Sequence, residues 1–276
     1  MFEFQGNNAG GGMFNVLVPP YDDVRVRRGL IMATRQDAII AALGGEGISE
    51  PATQLYAEDS PWYSEEAAEA YASYDFDGAM ALLEDYINDA DRSDGKAVGE
   101  KLDVVLSCPP DPTLIAAMEV TQQFWNETGL VNTELTAFDQ ATHINMALGM
   151  GNEFRGEHEV HCWRWGSESD PGGENSGSAP WETSPFNFSN WHDPEHYALL
   201  EEARTTDDVP TRAALYAQAS IMVNEQVPIY FSGGTATAIA TAAGLGGFDS
   251  WILPDGEIGI GHPSAEGRWG QAYWTE

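Results

Sequence analysis

The residues with the clearest chemical potential lie between positions 158 and 196. Trp163 and Trp165 stand two apart in an apolar, strand-like run, so they share a face, and Arg164 points the opposite way. The polar segment after them, Gly166 to Pro171, carries Glu168 and Asp170. An indole face beside a carboxylate suits an amphipathic or cationic ligand, through stacking, cation–π attraction and a charge-assisted hydrogen bond. The competing reading makes both tryptophans core and leaves Glu168 in solvent. Trp163, Arg164, Trp165, Glu168 and Asp170 are the candidate ligand-binding set.

Four histidines offer a second chemistry. His158 and His161 have H-x-x-H spacing, and His192 and His196 have H-x-x-x-H spacing. A metal-dependent hydrolase built on these four is the alternative function. Two arguments count against it. Asp193-Pro194 starts a helix after His192, so His192 and His196 lose their common face. Within a strand, His158 and His161 fall on opposite faces. The bland expectation for these side chains is a partly exposed polar surface. No metal or other cofactor is expected. No Ser-His-Asp arrangement, P-loop or dinucleotide-binding glycine fingerprint stands at a strand-to-helix junction. Cys108 and Cys162 sit in apolar runs, where free cysteine behaves as a small hydrophobe. A bridge between them is possible but not indicated.

The elements that position these residues follow from local grammar. Leu102, Val104 and Leu106 alternate as a strand, and Asp111-Pro112 opens a helix whose face carries Leu114, Met118 and Trp125 up to Gly129. Val131 to Ala137 alternates again, Asp139 caps a helix carrying Ala141, Ile144 and Leu148, and Glu159 to Trp165 forms the next strand. Strand–helix–strand–helix–strand predicts an α/β fold with a mostly parallel sheet flanked by helices. The loop after Trp165 then leaves the carboxyl end of a parallel strand, where open α/β sheets bind ligands.

Upstream, the glycine-rich residues 5–12 read as a flexible lead-in. Phe14 to Val18 reads as a short strand stopped by Pro19-Pro20. Asp22 or Asp23 caps a helix with Val26, Leu30 and Ile31 inward, and Thr34 with Asp37 has capping-box spacing for a second helix ending at Gly44. Asp75 caps a helix with Ala79, Leu82, Leu83 and Tyr86 on one face. Downstream, residues 166–190 read as loop. Pro194 and Pro210 begin helices, and Val227 to Phe231 forms a strand.

Composition bounds the function. The chain has 276 residues and 42% apolar content, enough to bury a core. It has 44 acidic and 12 basic side chains, a net charge of −32, and only two of the cations are lysines, Lys96 and Lys101. That balance excludes nucleic-acid phosphate as the main partner and is repelled by anionic membranes. It fits a surface working in concentrated salt, and equally an ordinary acidic secreted protein. The first twenty residues lack the basic and continuous apolar regions of a secretion signal.

Several segments, in order, resemble the family 5 solute-binding proteins, the extracellular receptors of peptide- and nickel-type ABC importers. Pro19-Pro20-Tyr21-Asp22-Asp23-Val24-Arg25-Val26-Arg27-Arg28 is similar to the family's proline- and arginine-bearing signature. Ala33 to Ile40, Tyr74 to Leu83, Gln122-Gln123 with Gly129, and Leu199 to Arg204 with Asp207, Arg212 and Tyr216 continue the match to about residue 250. The resemblance implies a periplasmic-binding-protein-like C-terminal lobe and an extracellular, cell-surface or periplasmic receptor that is not an enzyme. It implies a small solute, most plausibly a peptide, as ligand, ABC permease subunits as partners, and an N-terminal lobe of the same protein that is missing here. On that frame residues 1–15 are lead-in and hinge strand, 16–243 the ligand-binding lobe, and 244–276 a return segment completing the other lobe. In peptide-binding relatives a tryptophan-ended strand is followed by an aspartate that holds the peptide's α-amine. Trp165 matches the tryptophan and Glu168 the aspartate, in a loop about one residue shorter, with Asp170 as the alternative anchor. Thr34-Arg35 departs from the family's Asp-Arg.

Overall fold

Six of the described helices begin where an aspartate can accept from their first free N–H groups. In the computed structural model, Asp23 caps α1 (Val24–Met32), Asp75 caps α4 (Phe76–Ile87), Asp111 caps α5 (Pro112–Glu127), Asp139 caps α6 (Gln140–Ala147), Asp193 caps α7 (Pro194–Thr205) and Asp208 caps α8 (Val209–Gln226). Each carboxylate accepts from backbone N–H groups in the first turn. The structure describes residues 2–58, 60–148, 157–166, 187–239, 242–246 and 273–274, with the backbone alone described at 2–8, 164–166 and 235–239.

Five strands form the central sheet: β1 (Phe2–Phe14), β2 (Leu102–Cys108), β3 (Val131–Ala137), β4 (Val160–Gly166) and β5 (Ile229–Ile239), in the order β3-β2-β4-β1-β5. β2 pairs in parallel with β3 and β4, whereas β1 pairs antiparallel with both β4 and β5. Four strands therefore run one way and β1 runs against them, so the sheet is mostly parallel. Helices flank it as the strand–helix alternation requires. α1 packs on α4, and α2 (Gln36–Ala42) packs between α5 and β5. α7 and α8 pair, with α3 (Glu65–Ala70) against α8, around a second small core of Trp62, Leu200, Leu215 and Tyr216. A short ladder joins β6 (Leu245–Gly246) to β7 (Tyr273–Trp274).

Three local expectations need correction. The glycine-rich segment is no flexible lead-in: it belongs to β1, in the interior of the sheet. A methyl group on Gly11 would sit 1.9 Å from the Tyr230 carbonyl oxygen, and one on Gly12 would sit 2.5 Å from the Tyr230 hydroxyl. The glycines admit a close backbone approach rather than loosening the chain. Next, β1 ends at Phe14, not Val18, because Asn15 turns its side chain into a buried hub: Nδ2 donates to the His158 carbonyl, and Oδ1 accepts from Leu17 N–H and Asn190 Nδ2. Finally, Thr34 and Asp37 form no capping box. Arg35 is the N-cap of α2 and makes no side-chain cap bond. The Thr34 hydroxyl instead donates to Leu30 O and accepts from Trp125 Nε1.

The arginines of the Val24–Arg28 segment tie distant parts together. Arg25 pairs with Asp23, Asp85 and Asp89, joining α1 to α4. Arg27 is buried and has no carboxylate partner among the described residues. It donates to Tyr21 O at 2.6 Å and twice to Gln226 O, at 2.6 and 2.9 Å. Arg28 donates to Asn224 O at 3.1 Å. The two guanidinium groups thus satisfy carbonyls at the C-terminus of α8, where the helix dipole favours a cation. Burial lowers the Arg27 pKa to about 10, which leaves it charged at neutral pH. Arg27→Met is expected to keep the packing volume but strand one buried and one partly buried acceptor, lowering stability by about 2–4 kcal/mol in urea unfolding. Unfolding indistinguishable from wild type would show that these carbonyls find other donors.

Candidate functional site

A groove of about 1070 Å³ opens along the sheet, with α2 on one side and α5 and α6 on the other. Its floor includes Gly10 and Gly11 of β1, Leu106 and Cys108 at the end of β2, Cys162 and Trp163 of β4, and Phe231 with Gly233 of β5. Ile39 and Ile40 of α2, with Leu43 just after it, line the groove together with Leu114, Met118 and Trp125 of α5 and His143 and Ile144 of α6. The groove reaches Cys108 and Pro109, at the carboxyl end of parallel strand β2, the position that the sheet topology favours for ligands. Among its described lining residues, Arg35 and Asp37 alone carry charge; they pair at 2.6 Å and are largely exposed.

Side chains fix the groove by satisfying backbone. Gln36 Nε2 donates to Ala52 O and Phe231 O, while its Oε1 accepts from Ala52 N–H. The Tyr71 hydroxyl donates to Phe231 O at 2.9 Å and accepts from Phe231 N–H at 3.1 Å. β5 is an edge strand, and these bonds cover its open edge with the walls of the groove. Burial pushes the Tyr71 hydroxyl pKa up to about 12, so it stays a neutral donor. Trp125 is buried with its indole N–H on Leu30 O and Thr34 Oγ1, which locks α5 to α1.

The candidate residues fare differently. Trp163 lines the groove, half-buried, with Phe188 at 4.9 Å and His143 stacked at 5.8 Å. Arg164 and Trp165 lie in β4 with their backbones opposite Gly10 and Ala9. Their side chains, and the whole of Glu168 and Asp170, lie outside the described residues. The groove-lining residues of α2 and the glycine pairs of β1 and β5 were not singled out by sequence. The signal that could have found them is glycine inside a strand, which marks close approach of another backbone.

Three of the four motif histidines, His158, His161 and His196, are buried rather than part of a polar surface. His158 and His161 are buried and their rings lie 4.6 Å apart, because His158 precedes the strand and escapes its alternation. His143, unmarked by any motif, stacks on His161 at 4.1 Å. His196 is buried against Trp191, and His192 is exposed ahead of α7. The four residues of the hydrolase alternative therefore do not converge. Among the described residues, no group of three or more His, Cys, Asp or Glu side chains could hold a metal ion.

Cys108 and Cys162 are disulfide-bonded. Their separate apolar runs concealed a register effect. Leu106 pairs with Val160 and Ser107 with His161, so the next residues of β2 and β4, the two cysteines, stand opposite.

Comparison with known proteins places this architecture. The model of the bacterial extracellular solute-binding proteins, family 5 (middle region), matches residues 1–191. The chain belongs to this family. It is 28% identical to the dipeptide-binding protein of Escherichia coli K12 over 235 residues, 83% of this chain and 40% of that protein. It is 29% identical to di/tripeptide-binding protein 1 of Pseudomonas aeruginosa, over 81% of this chain and 39% of that protein. It thus spans about two fifths of the length of these relatives. Among solved structures, the dipeptide-binding protein of Pseudoalteromonas sp. SM9913 in complex with Met-Leu superposes with a TM-score of 0.70 at 23% identity, over 97% of this chain and 48% of that one. The E. coli murein tripeptide-binding protein MppA gives 0.69 at 18% identity, over 90% of this chain and 46% of that one. These structures share the fold.

The disulfide closes a 54-residue separation between two strands of the groove floor. Replacing both cysteines by alanine is expected to cost about 3–4 kcal/mol, from the added freedom of the unfolded chain. The check is chemical unfolding of the double variant beside the oxidised wild type; equal midpoints would assign the bridge no stabilising role.

Proposed function

We propose that this chain is the ligand-binding lobe of an ABC-importer receptor that holds a short peptide outside the cytoplasm and delivers it, chemically unchanged, to membrane permease subunits. The observation that carries the reading is the apolar groove at the carboxyl end of β2 in a chain of this family. Two relatives are named for dipeptides or di- and tripeptides, and one solved relative holds Met-Leu. The lining here matches that chemistry. Isoleucine, leucine, methionine and tryptophan side chains can bury apolar peptide side chains at about 25 cal/mol per Å². Arg35 and Asp37 at the exposed margin supply one charge of each sign for a zwitterion.

In this reading β1 and residues 16–243 form the lobe, β1 being an interior strand of its sheet, and residues 244–276 belong to a second lobe that closes over the groove. Trp163 packs on the solute, Trp165 and Arg164 are further ligand-binding candidates, and Glu168 or Asp170 takes the peptide's amine. A lobe alone leaves one side of its solute in water, so its affinity is low.

Titration of the isotopically labelled chain with Met-Leu, Gly-Gly and a disaccharide, followed by NMR, tests the assignment. Met-Leu is expected to shift resonances of Ile39, Ile40, Leu43 and Ile144 with millimolar affinity, and Gly-Gly to shift them less. Trp163→Ala should weaken Met-Leu by about 1–2 kcal/mol. A disaccharide that matches Met-Leu, or groove resonances that ignore all three solutes, would overturn the reading.

A further inference from the structure

Three buried imidazoles join α6 to the sheet. His143, on α6, lies between His161 of β4, with ring centroids 4.1 Å apart and planes 21° apart, and Trp163, stacked at 5.8 Å. His158 packs on His161 at 4.6 Å. Their hydrogen bonds fix which nitrogen of each ring carries an N–H. His143 Nε2 donates to the Cys162 carbonyl at 3.0 Å, and His158 Nδ1 donates to the Met146 carbonyl, also on α6, at 3.2 Å. The Ser107 hydroxyl donates to Val160 O, so it accepts from His161 Nδ1. Among the described residues, the remaining nitrogens Nδ1 of His143 and Nε2 of His161 are buried without a partner. A second proton on either would have no acceptor and would place a cation within about 4–5 Å of another imidazole.

Among the described residues, the groups around the stack do not offset such a charge. β2 contributes Ser107 and the Cys108–Cys162 bridge, β1 contributes Gly12 and Met13 opposite Cys162 and His161, and the chain before α6 contributes Phe138. The nearby carboxylates are committed elsewhere. Asp139 caps α6 through Ala141 and Thr142, and Glu159 accepts from Tyr21 and the Val105 N–H. His143 and Ile144 also line the groove, so whatever holds α6 holds a groove wall.

We propose that the His143–His161–His158 stack is a proton-sensitive latch: neutral, it clamps α6 to β4 and completes the groove, and in acid it releases α6 and lowers the groove's affinity for solute. The release of solute rests on the peptide-binding reading above; the movement of α6 does not.

The sign follows from linkage. Burial lowers the His143 pKa, and burial with the neighbouring imidazoles lowers that of His161 to about 2. Once α6 detaches, the rings regain ordinary values near about 6.5. The latch is fully favourable above that value and weakens as pH falls below it, by up to about tenfold per pH unit for each imidazole released.

Hydrogen exchange across residues 139–147 of the full chain, normalised to intrinsic rates at each pH from 7.5 to 4.5, reads the latch directly. Opening of α6 is expected to rise at least tenfold between pH 7 and pH 5 while α8 stays protected, and Met-Leu affinity should fall over the same interval. His143→Phe keeps a flat ring in the stack but cannot titrate, so its α6 profile should be flatter. His192→Gln, at an exposed site, should leave the wild-type profile unchanged. Exchange in α6 that merely follows the rest of the chain overturns the proposal, and so does a folded His143→Phe with the wild-type profile. Should that variant fail to fold, the wild-type profile alone decides. A chain that never binds Met-Leu but opens α6 in acid refutes the peptide reading and keeps the latch. A chain that binds Met-Leu equally at all pH values, with α6 closed, does the reverse.

Discussion

The close pairing of β1 with both β4 and β5 is the constraint on which the groove depends. β1 runs against its two neighbours and separates the parallel unit β3-β2-β4 from β5. Remove it and the groove floor splits, since α2 packs on β5 while α5 packs on β2 and β3. The pairing demands glycine at 11 and 12, where any Cβ would meet the Tyr230 backbone or ring within van der Waals distance. At the groove, Gly10 and Gly11 also leave bare backbone on the floor beside Gly233. One sequence feature thus serves sheet assembly and the shape of the site.

The arginine-rich segment after Pro20 solves a different problem. Helix α8 ends beside buried Val223, Asn224 and Val227, and its last carbonyls need donors. Arg27 and Arg28 supply several N–H groups from one direction, which a lysine's compact ammonium cannot do with the same geometry. A buried cation without a carboxylate partner is tolerable because carbonyl oxygens and the helix dipole carry the compensating negative potential. In a chain with ten arginines and two lysines, the guanidinium groups act here as fixed structural donors as well as counter-charges.

What could be read from the sequence was local. Aspartate caps, Asp-Pro helix starts and the alternation in β2 to β4 depend on neighbours a few residues away, and they placed the parallel unit and its helices. What escaped depends on distant partners. Glycine's poor intrinsic fit to strands disguised β1 until Tyr230 supplied the reason for it. Thr34 is drawn from its expected capping role by Trp125, ninety-one residues away. The six-residue α3 is too short to show a helical period. His143 belongs to no spacing pattern, because its partners come from another element. Of the five candidate ligand residues, Trp163 is the one whose side chain the described structure brings to the groove.

The charge of the chain and the chemistry of the groove complement each other. Acidic side chains far outnumber basic ones in the composition, yet among its described lining the groove carries one Arg–Asp pair, set among apolar side chains, backbone and uncharged polar side chains such as Gln36, Tyr71 and Thr121. Desolvating a carboxylate in a concave apolar site is costly, so the acidic residues stay on the solvated surface, where salt screens their repulsion. At about 1 M salt the screening length falls to roughly 3 Å, and long-range attraction can no longer select a solute. Contact burial survives such conditions, and excluded salts strengthen it. If the groove recognises its solute mainly by apolar contact, as proposed, with Gln36 and Tyr71 already committed to backbone, it keeps its selectivity at ionic strengths where charge recognition fades.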